Sequence, residues 1–162
     1  MSDTIKSVLR MIPYGFYAIT SRNGDEVNAM VANWLMQVSF EPRLVALGLA
    51  KSAHTHSIIS AGQVFGVMLF HQDDKDAIMP FTKGTAKNPD KMKDAKYTEA
   101  PETGVPVLEG VSAYLEVRVK EIIDVGGDHD IVVGEVVGAG VNKELTPQEV
   151  LSLPTLGWSY AG

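Results

Sequence analysis

Three short runs of the chain carry residue types able to do chemistry. The first is Asn28-Ala29-Met30-Val31-Ala32-Asn33-Trp34, a stretch of small side chains tinged with polar ones. Small side chains let a flat ring approach the main chain, and strand amides can then bond its edge. The same letters would suit a strand beside a bulge, with Asn33 satisfying stray backbone groups. The second run is Lys51-Ser52-Ala53-His54-Thr55-His56, placed where a strand should end and a helix begin. Free amides, the helix dipole, two hydroxyls, a lysine and imidazoles all favour an anion there. An ordinary capped helix with surface histidines would use the same residues. His54 and His56 stand two apart, diverge on a helix and make a poor metal pair, so no metal site is expected. The third run, Gly127-Asp128-His129-Asp130, puts a histidine between two carboxylates at a hairpin tip. Such a ring can bond a carboxamide or relay a proton, although solvated turns favour the same residues. Lys83, Lys87, Lys91 and Lys93 crowd one polar stretch, either as a solvated face or as a draw for an anionic ligand.

The elements that must position these runs follow from pattern. Tyr14 to Ser21 reads as a strand, and Asn23-Gly24 as the turn after it. A second strand runs from about Val27 to Phe40, interrupted near Asn33 and broken by Glu41-Pro42. Leu44 to Ala50 is apolar enough to be buried on both faces. Ser52 to Ala61 reads as a short helix, capped by Ser52 and ended by Gly62 in a left-handed conformation. Val64 to Phe70 is a strand, and Asp73 to Phe81 has the acidic first turn of a helix. Thr82 to Pro106 reads as one long excursion with little regular structure, a kind of loop that is often functional. Ser112–Val125 and Ile131–Val141 form a long hairpin, and Thr146-Pro147-Gln148-Glu149 is a capping box that should start a helix. Trp158 and Tyr160 read as anchors of the tail rather than as a stacking lid. Strands dominate, which favours an antiparallel barrel over a doubly wound α/β fold.

Composition narrows the function classes. The chain has 162 residues, one domain's worth, with 45% hydrophobic and 21% charged residues. Lysine and arginine number 14 against 20 acidic residues, a net charge of −6 with no basic run. That argues against nucleic acid and against an anionic membrane. Cysteine is absent, so disulfides, thiolate nucleophiles and cysteine-held metals are excluded. Without a signal-like start or a long apolar stretch, the expectation is a soluble cytoplasmic protein. Gly138-Ala139-Gly140 lacks the third glycine of a dinucleotide fingerprint, and no phosphate-binding P-loop, H-E-x-x-H or G-x-S-x-G occurs.

Read in order, these runs resemble a known family. Asn28 to Trp34, then Val38-Ser39-Phe40-Glu41-Pro42-Arg43-Leu44, then Lys51-Ser52-Ala53-His54-Thr55, then Gly127-Asp128-His129-Asp130-Ile131-Val132-Val133-Gly134-Glu135-Val136 resemble the flavin reductase-like family of FMN-binding split barrels. The Ala32-Asn33-Trp34 version is closest to the flavoredoxins, which pass electrons between proteins. The resemblance spans Tyr14 to Tyr160 and implies a single mainly β domain over residues 1–162, a split β-barrel with Greek-key topology and a few short helices. It implies a homodimer with FMN, or FAD, held near the subunit interface. Asn28, Ala29, Met30, Val31, Ala32, Asn33 and Trp34 would run along the ring, with Gly48, Leu49 and Ala50 passing close. Lys51, Ser52, His54 and Thr55 would hold the phosphate, and Lys91 would contact the cofactor. His129 would reach the flavin or the nicotinamide as a positioning or proton-relaying residue. The activity implied is NAD(P)H-dependent flavin reduction, in which nicotinamide stacks on the ring and hydride passes to it. Two alternatives stand beside it: an electron carrier whose bound FMN is reduced by a redox protein partner, and a flavin-binding module without catalysis.

Overall fold

A computed structural model describes residues 2–161. In chain order the elements are α1 (Ser2–Leu9), β1 (Tyr17–Asn23), β2 (Glu26–Ala32), β3 (Leu35–Ser39), β4 (Leu44–Ala50), α2 (His54–Gly62) and β5 (Val64–Leu69). Then come α3 (Lys75–Ile78), α4 (Lys91–Asp94), β6 (Tyr97–Glu99), β7 (Pro106–Leu108), β8 (Ala113–Ile123), β9 (His129–Val141) and α5 (Leu153–Leu156). Seven strands form one antiparallel sheet in the order β2-β1-β5-β8-β9-β4-β3, and β6 pairs with β7 separately. The mainly β, split-barrel expectation holds.

One feature of connectivity dictates the shape. β2 and β3 are consecutive in sequence yet occupy opposite edges of the sheet. Only Asn33 and Trp34 join them. Three Cα steps reach about 11 Å at most. The sheet must therefore curl until its two edges almost meet, which a flat sheet cannot do. The link is already tied to the far edge, because the Gly48 amide donates to the Trp34 carbonyl at 2.8 Å.

The curled sheet is buried on both faces where β1 and β5 run. Ile19, Phe65 and Val67 face the barrel interior with Leu47, Leu49, Val117 and Val132. Ala18, Met68 and Phe70 face outward into a second core with Ile78, Phe81, Val105 and Leu108. Period-two alternation thus divides two apolar sets between two cores. The outer core is roofed by residues 72–108. Buried Glu116 on β8 ties that roof down: its Oε2 accepts from the amides of Glu102 and Thr103 at 2.9 and 2.7 Å and from Thr103 Oγ1 at 2.9 Å.

Several boundaries differ from the pattern reading, for local reasons. β1 starts at Tyr17; upstream, Gly15 makes only a single bridge, to Ser152. The two-residue turn after it is Gly24-Asp25, with Gly24 at φ 60°. In β4, Val45, Ala46, Leu47 and Leu49 are buried, but Gly48 and Ala50 are only half-buried. The 73–81 segment is three short pieces rather than one helix, because Pro80 lacks an amide and clashes with the preceding turn. The 82–106 excursion contains α4 and β6 and is tighter than expected. The Thr146 motif forms only half of its box: Thr146 N donates to Glu149 Oε2 at 2.9 Å, but Glu149 N donates to the Thr146 carbonyl at 3.0 Å and not to its hydroxyl, and a turn results. The capping box that does start a helix is Ser152 with Thr155, at α5.

At α2 the expected caps exchange roles. The N-cap is Ala53 without a side-chain bond, and the left-handed residue is Gln63 at φ 60°. Gly62 is needed for a different reason: a Cβ there would sit 1.9 Å from the Arg22 carbonyl oxygen on β1. Alanine normally strengthens a helix over glycine by about 1 kcal/mol. Here Gly62→Ala should instead destabilise by about 1–3 kcal/mol through overpacking against backbone, read as a lower urea midpoint with unchanged slope; a higher midpoint would contradict the close approach.

Candidate flavin site at the sheet seam

The two-residue link leaves a cleft where the sheet edges approach. A cavity of about 300 Å³ is lined by Met30, Val31, Ala32, Asn33 and Trp34 from the β2 end, Gly48 and Ala50 from β4, and His129 from β9, among others. Each wall has a cause. β2 is an edge strand paired only with β1, so alternate amides are free of the ladder and available to a ligand. Ala32 and Ala50 keep the walls low. Gly48 is required because a Cβ would lie 3.0 Å from Trp34 Cβ and 3.1 Å from its ring. His129 is brought opposite Ala50 by the β4–β9 register.

The polar inventory of the cleft is unbalanced towards donors. Asn33 Nδ2 and Trp34 Nε1 are buried without a partner. Buried groups of this kind are normally paired, so they mark where a ligand belongs. The His129 ring lies 4.7 Å from that of Trp34, tilted by 56°. Its Nδ1 is 2.7 Å from Asp128 Oδ1, which fixes the ring and leaves Nε2 free. That hydrogen bond from His129 holds the Asp128 carboxyl below its usual range.

A second pocket of about 130 Å³ continues from the first, sharing Met30, Val31 and Thr82 as a common wall. It is lined by Asn28, His54, Thr55, Thr85 and Lys91. The first turn of α2 contributes amides that no helix can satisfy internally. Buried Thr55 is fixed by Asn28, whose Nδ2 donates to Thr55 Oγ1 at 2.8 Å. Thr85 Oγ1 is buried and unpartnered. Lys91 is 4% exposed, with a 3.3 Å bond from Nζ to the Lys83 carbonyl and no carboxylate partner among the described residues. Desolvation pulls its ammonium below the usual 10.5. An unbalanced buried cation beside free amides is a place for an anion.

The structure thus gathers most of the residues singled out in the sequence, and separates four. Ala29 and Leu49 point into the two cores and offer only main chain. Ser52 is exposed. Lys51 turns to the β8–β9 hairpin, where Nζ meets Asp124 Oδ1 at 2.7 Å and lies 3.8 Å from Asp130 Oδ1. That hydrogen bond to Asp124 raises the lysine and lowers the aspartate. Lys51 also donates its amide to the Asp128 carbonyl at 3.0 Å, and buried Asp130 accepts from His56 Nε2 at 2.7 Å. These contacts hold the hairpin that carries His129. Sequence reasoning missed Thr82 and Thr85, two ordinary threonines in a polar stretch that gave no signal.

A curled antiparallel sheet with a donor-lined cleft at its seam is the architecture of a split-barrel flavin domain. The chain belongs to the family described as the flavin reductase like domain, whose profile matches residues 9–158. It is 33% identical over 135 residues to the high molecular weight rubredoxin of Moorella thermoacetica, an alignment covering 82% of this chain and 58% of that one. It is 31% identical over 143 residues to diflavin flavoprotein A 1 of Synechocystis, covering 88% of this chain and 24% of the other. This chain therefore spans from about a quarter to just over half of these relatives. Among solved structures, the NADH:FAD oxidoreductase of Streptomyces globisporus superposes with a TM-score of 0.76 at 28% identity, over 86% of this chain and 82% of that one. An FMN-binding protein from Thermus thermophilus gives 0.76 at 26%, over 86% and 77%. Among the described residues, no helix is long and apolar enough to cross a membrane.

The lowered value at Lys91 has a thermodynamic sign. Between that value and 10.5 the unfolded chain binds a proton that the folded chain does not, so stability rises with pH across that window. Below it the buried charge is a standing cost. Lys91→Met should therefore raise the Tm of ligand-free protein at pH 7, with the gain shrinking towards pH 10.5. Added inorganic phosphate should raise the Tm of the wild type and leave Lys91→Met unmoved. A lower Tm for the variant at pH 7 would contradict this reading of Lys91.

Proposed function

We propose that this protein is an FMN-binding oxidoreductase that uses a nicotinamide donor to reduce flavin, its site being the seam cleft and the adjoining anion pocket. The observation that carries the reading is the set of orphaned buried donors and the unbalanced Lys91 lining two connected cavities. They suit a flat heteroaromatic ring with acceptors on one edge and a terminal phosphate. When bound, the flavin supplies the redox chemistry, accepting a hydride. The chain's own residues bind and orient. β2 amides and Asn33 Nδ2 hold the ring edge, where donors favour negative charge. Trp34 and Gly48 keep one wall flat and close. Thr55, Thr85, Lys91 and the start of α2 hold the phosphate, with Lys91 taking the part expected of Lys51. His129, oriented by Asp128, presents Nε2 to the ligand edge and can hold or release a proton there. FAD is a second acceptable flavin, and NADH and NADPH are both candidate donors. The work belongs in the cytoplasm, where such donors are supplied.

The unit that performs it is proposed to be a homodimer. β3 is an edge strand on which Met36 and Val38 are exposed, and Phe40, just past its end, is 87% exposed. Ile131 on β9 adds to that exposed apolar surface. An apolar edge beside the cleft is what a self-complementary interface would cover. Light scattering should give twice the 17.5 kDa of one chain; a mass of one chain at micromolar concentration would contradict the dimer.

The direct test is the absorption spectrum of the purified protein after equilibration with FMN, before and after NADH or NADPH. Retained flavin that bleaches with the donor is the expected result. Retained flavin that neither donor bleaches would instead favour a carrier reduced by another protein. His129→Ala should slow donor-dependent bleaching by about tenfold or more while changing flavin affinity less, in the range of a general acid–base or positioning residue. Unchanged bleaching would remove His129 from the site's chemistry.

A further inference from the structure

Tyr160 is the one aromatic residue of the cleft that nothing holds firmly. Its ring meets Trp34 edge-on at 5.0 Å and His129 at 6.4 Å, so it covers the two residues assigned above to the ligand. It makes no hydrogen bond among the described residues, and neither do the main-chain groups of residues 159–161. The chain just before it is fixed. The Trp158 amide donates to the Leu153 carbonyl at 3.0 Å, and its ring packs edge-on against Phe16 at 5.6 Å. Gly157, left-handed at φ 69°, sets the direction of departure from α5. A main-chain anchor at Trp158, itself 44% exposed, is therefore followed by an aromatic end, 43% exposed, held by ring contacts alone on the lining of the cleft.

A flavin reductase must leave one face of the ring open to a second flat ring. Two aromatic rings cannot occupy that face together, and Tyr160 lines the same cleft as Trp34 and His129. We propose that Tyr160 controls access of the donor: its side chain holds the place of the donor's nicotinamide ring, and the donor must displace it to bind. The inference rests on the flavin reading of the cleft. The energetics favour such a role, because ring contacts without hydrogen bonds hold the tail weakly, while the Trp158 anchor keeps it near enough to return. The apparent affinity for the donor is then reduced by the fraction of time the tail is closed. Trimming the ring removes that reduction.

The test uses the flavin-loaded protein. FMN retention is measured first by equilibrium dialysis, then the fluorine NMR spectrum of fluorotyrosine-labelled protein, its Tyr160 resonance assigned with Tyr160→Phe, with and without NAD+ or NADP+, then donor KM for the wild type, Tyr160→Phe and Tyr160→Ala. The Tyr160 resonance should move to the position of a solvated ring when the oxidised nucleotide binds. Tyr160→Ala should lower the donor KM by about fivefold, corresponding to a tail closed roughly four-fifths of the time, with FMN affinity changed less than about twofold. Tyr160→Phe should behave as the wild type, since the ring and not the hydroxyl fills the space. A Tyr160 resonance that is unchanged by nucleotide, or a KM that is unmoved or raised in Tyr160→Ala, would overturn the role of Tyr160 while leaving the flavin reading intact. Loss of FMN retention in the wild type would overturn both.

Discussion

The structure depends on the reach of two residues. Asn33 and Trp34 must connect opposite edges of a seven-stranded sheet, and the chain cannot stretch far enough to do so unless the sheet rolls up. Rolling brings the end of β2, the middle of β4 and the start of β9 to one place. It also leaves the free amides of edge strand β2 facing the paired ends of β4 and β9, where His129 stands. The cleft is thus a consequence of connectivity before it is a matter of particular side chains. Small residues at Ala32, Gly48 and Ala50 keep it open, and the unpartnered donors of Asn33 and Trp34 define what can fill it.

The polar groups around the cleft fall into two sets with different work. Lys51, Asp124, His56 and Asp130 are paired with one another. They lock the β8–β9 hairpin against the β4–α2 junction, so that His129 keeps its position. Lys91 and Thr85 lack such partners. A fold that leaves a buried cation unpaired sacrifices stability at that point, and the cost makes sense if an anion offsets it. Lys51 thus gives structural support, whereas Lys91, without a carboxylate partner among the described residues, is the lysine proposed for ligand recognition.

Much of this was legible in the sequence, for identifiable reasons. Residues 44–50 are legible as a strand with its observed bounds because a continuous apolar run lies between the Glu41-Pro42 break and the polar Lys51-Ser52. The break near Asn33 was legible because a small, polar-tinged run interrupts an apolar one. What escaped depended on distance in space. The letters of Lys51-Ser52-Ala53-His54-Thr55 promise an anion site, but the direction of Lys51 is decided by Asp124, seventy-three residues away. The burial of Lys91 is decided by how the 72–108 roof folds onto β2, and its four-lysine neighbourhood looks like solvated surface. Gly62 looked like a helix terminator, whereas its smallness serves the packing of α2 on β1. Thr146 to Glu149 had the right capping letters, but the residues after it are drawn into extended pairing, Val150 bridging His71 and the Leu151 amide donating to the Phe70 carbonyl, so it stayed a turn.

Trp34 offers the sharpest single measurement, because it forms the wall of the cleft and the chain has only two tryptophans. In a Trp158→Phe background its fluorescence reports that wall alone. Titration with FMN should quench it in a saturable way, reaching completion at one flavin per chain. Flavin that is retained by the protein while Trp34 emission stays unchanged would place the ligand elsewhere and contradict the account.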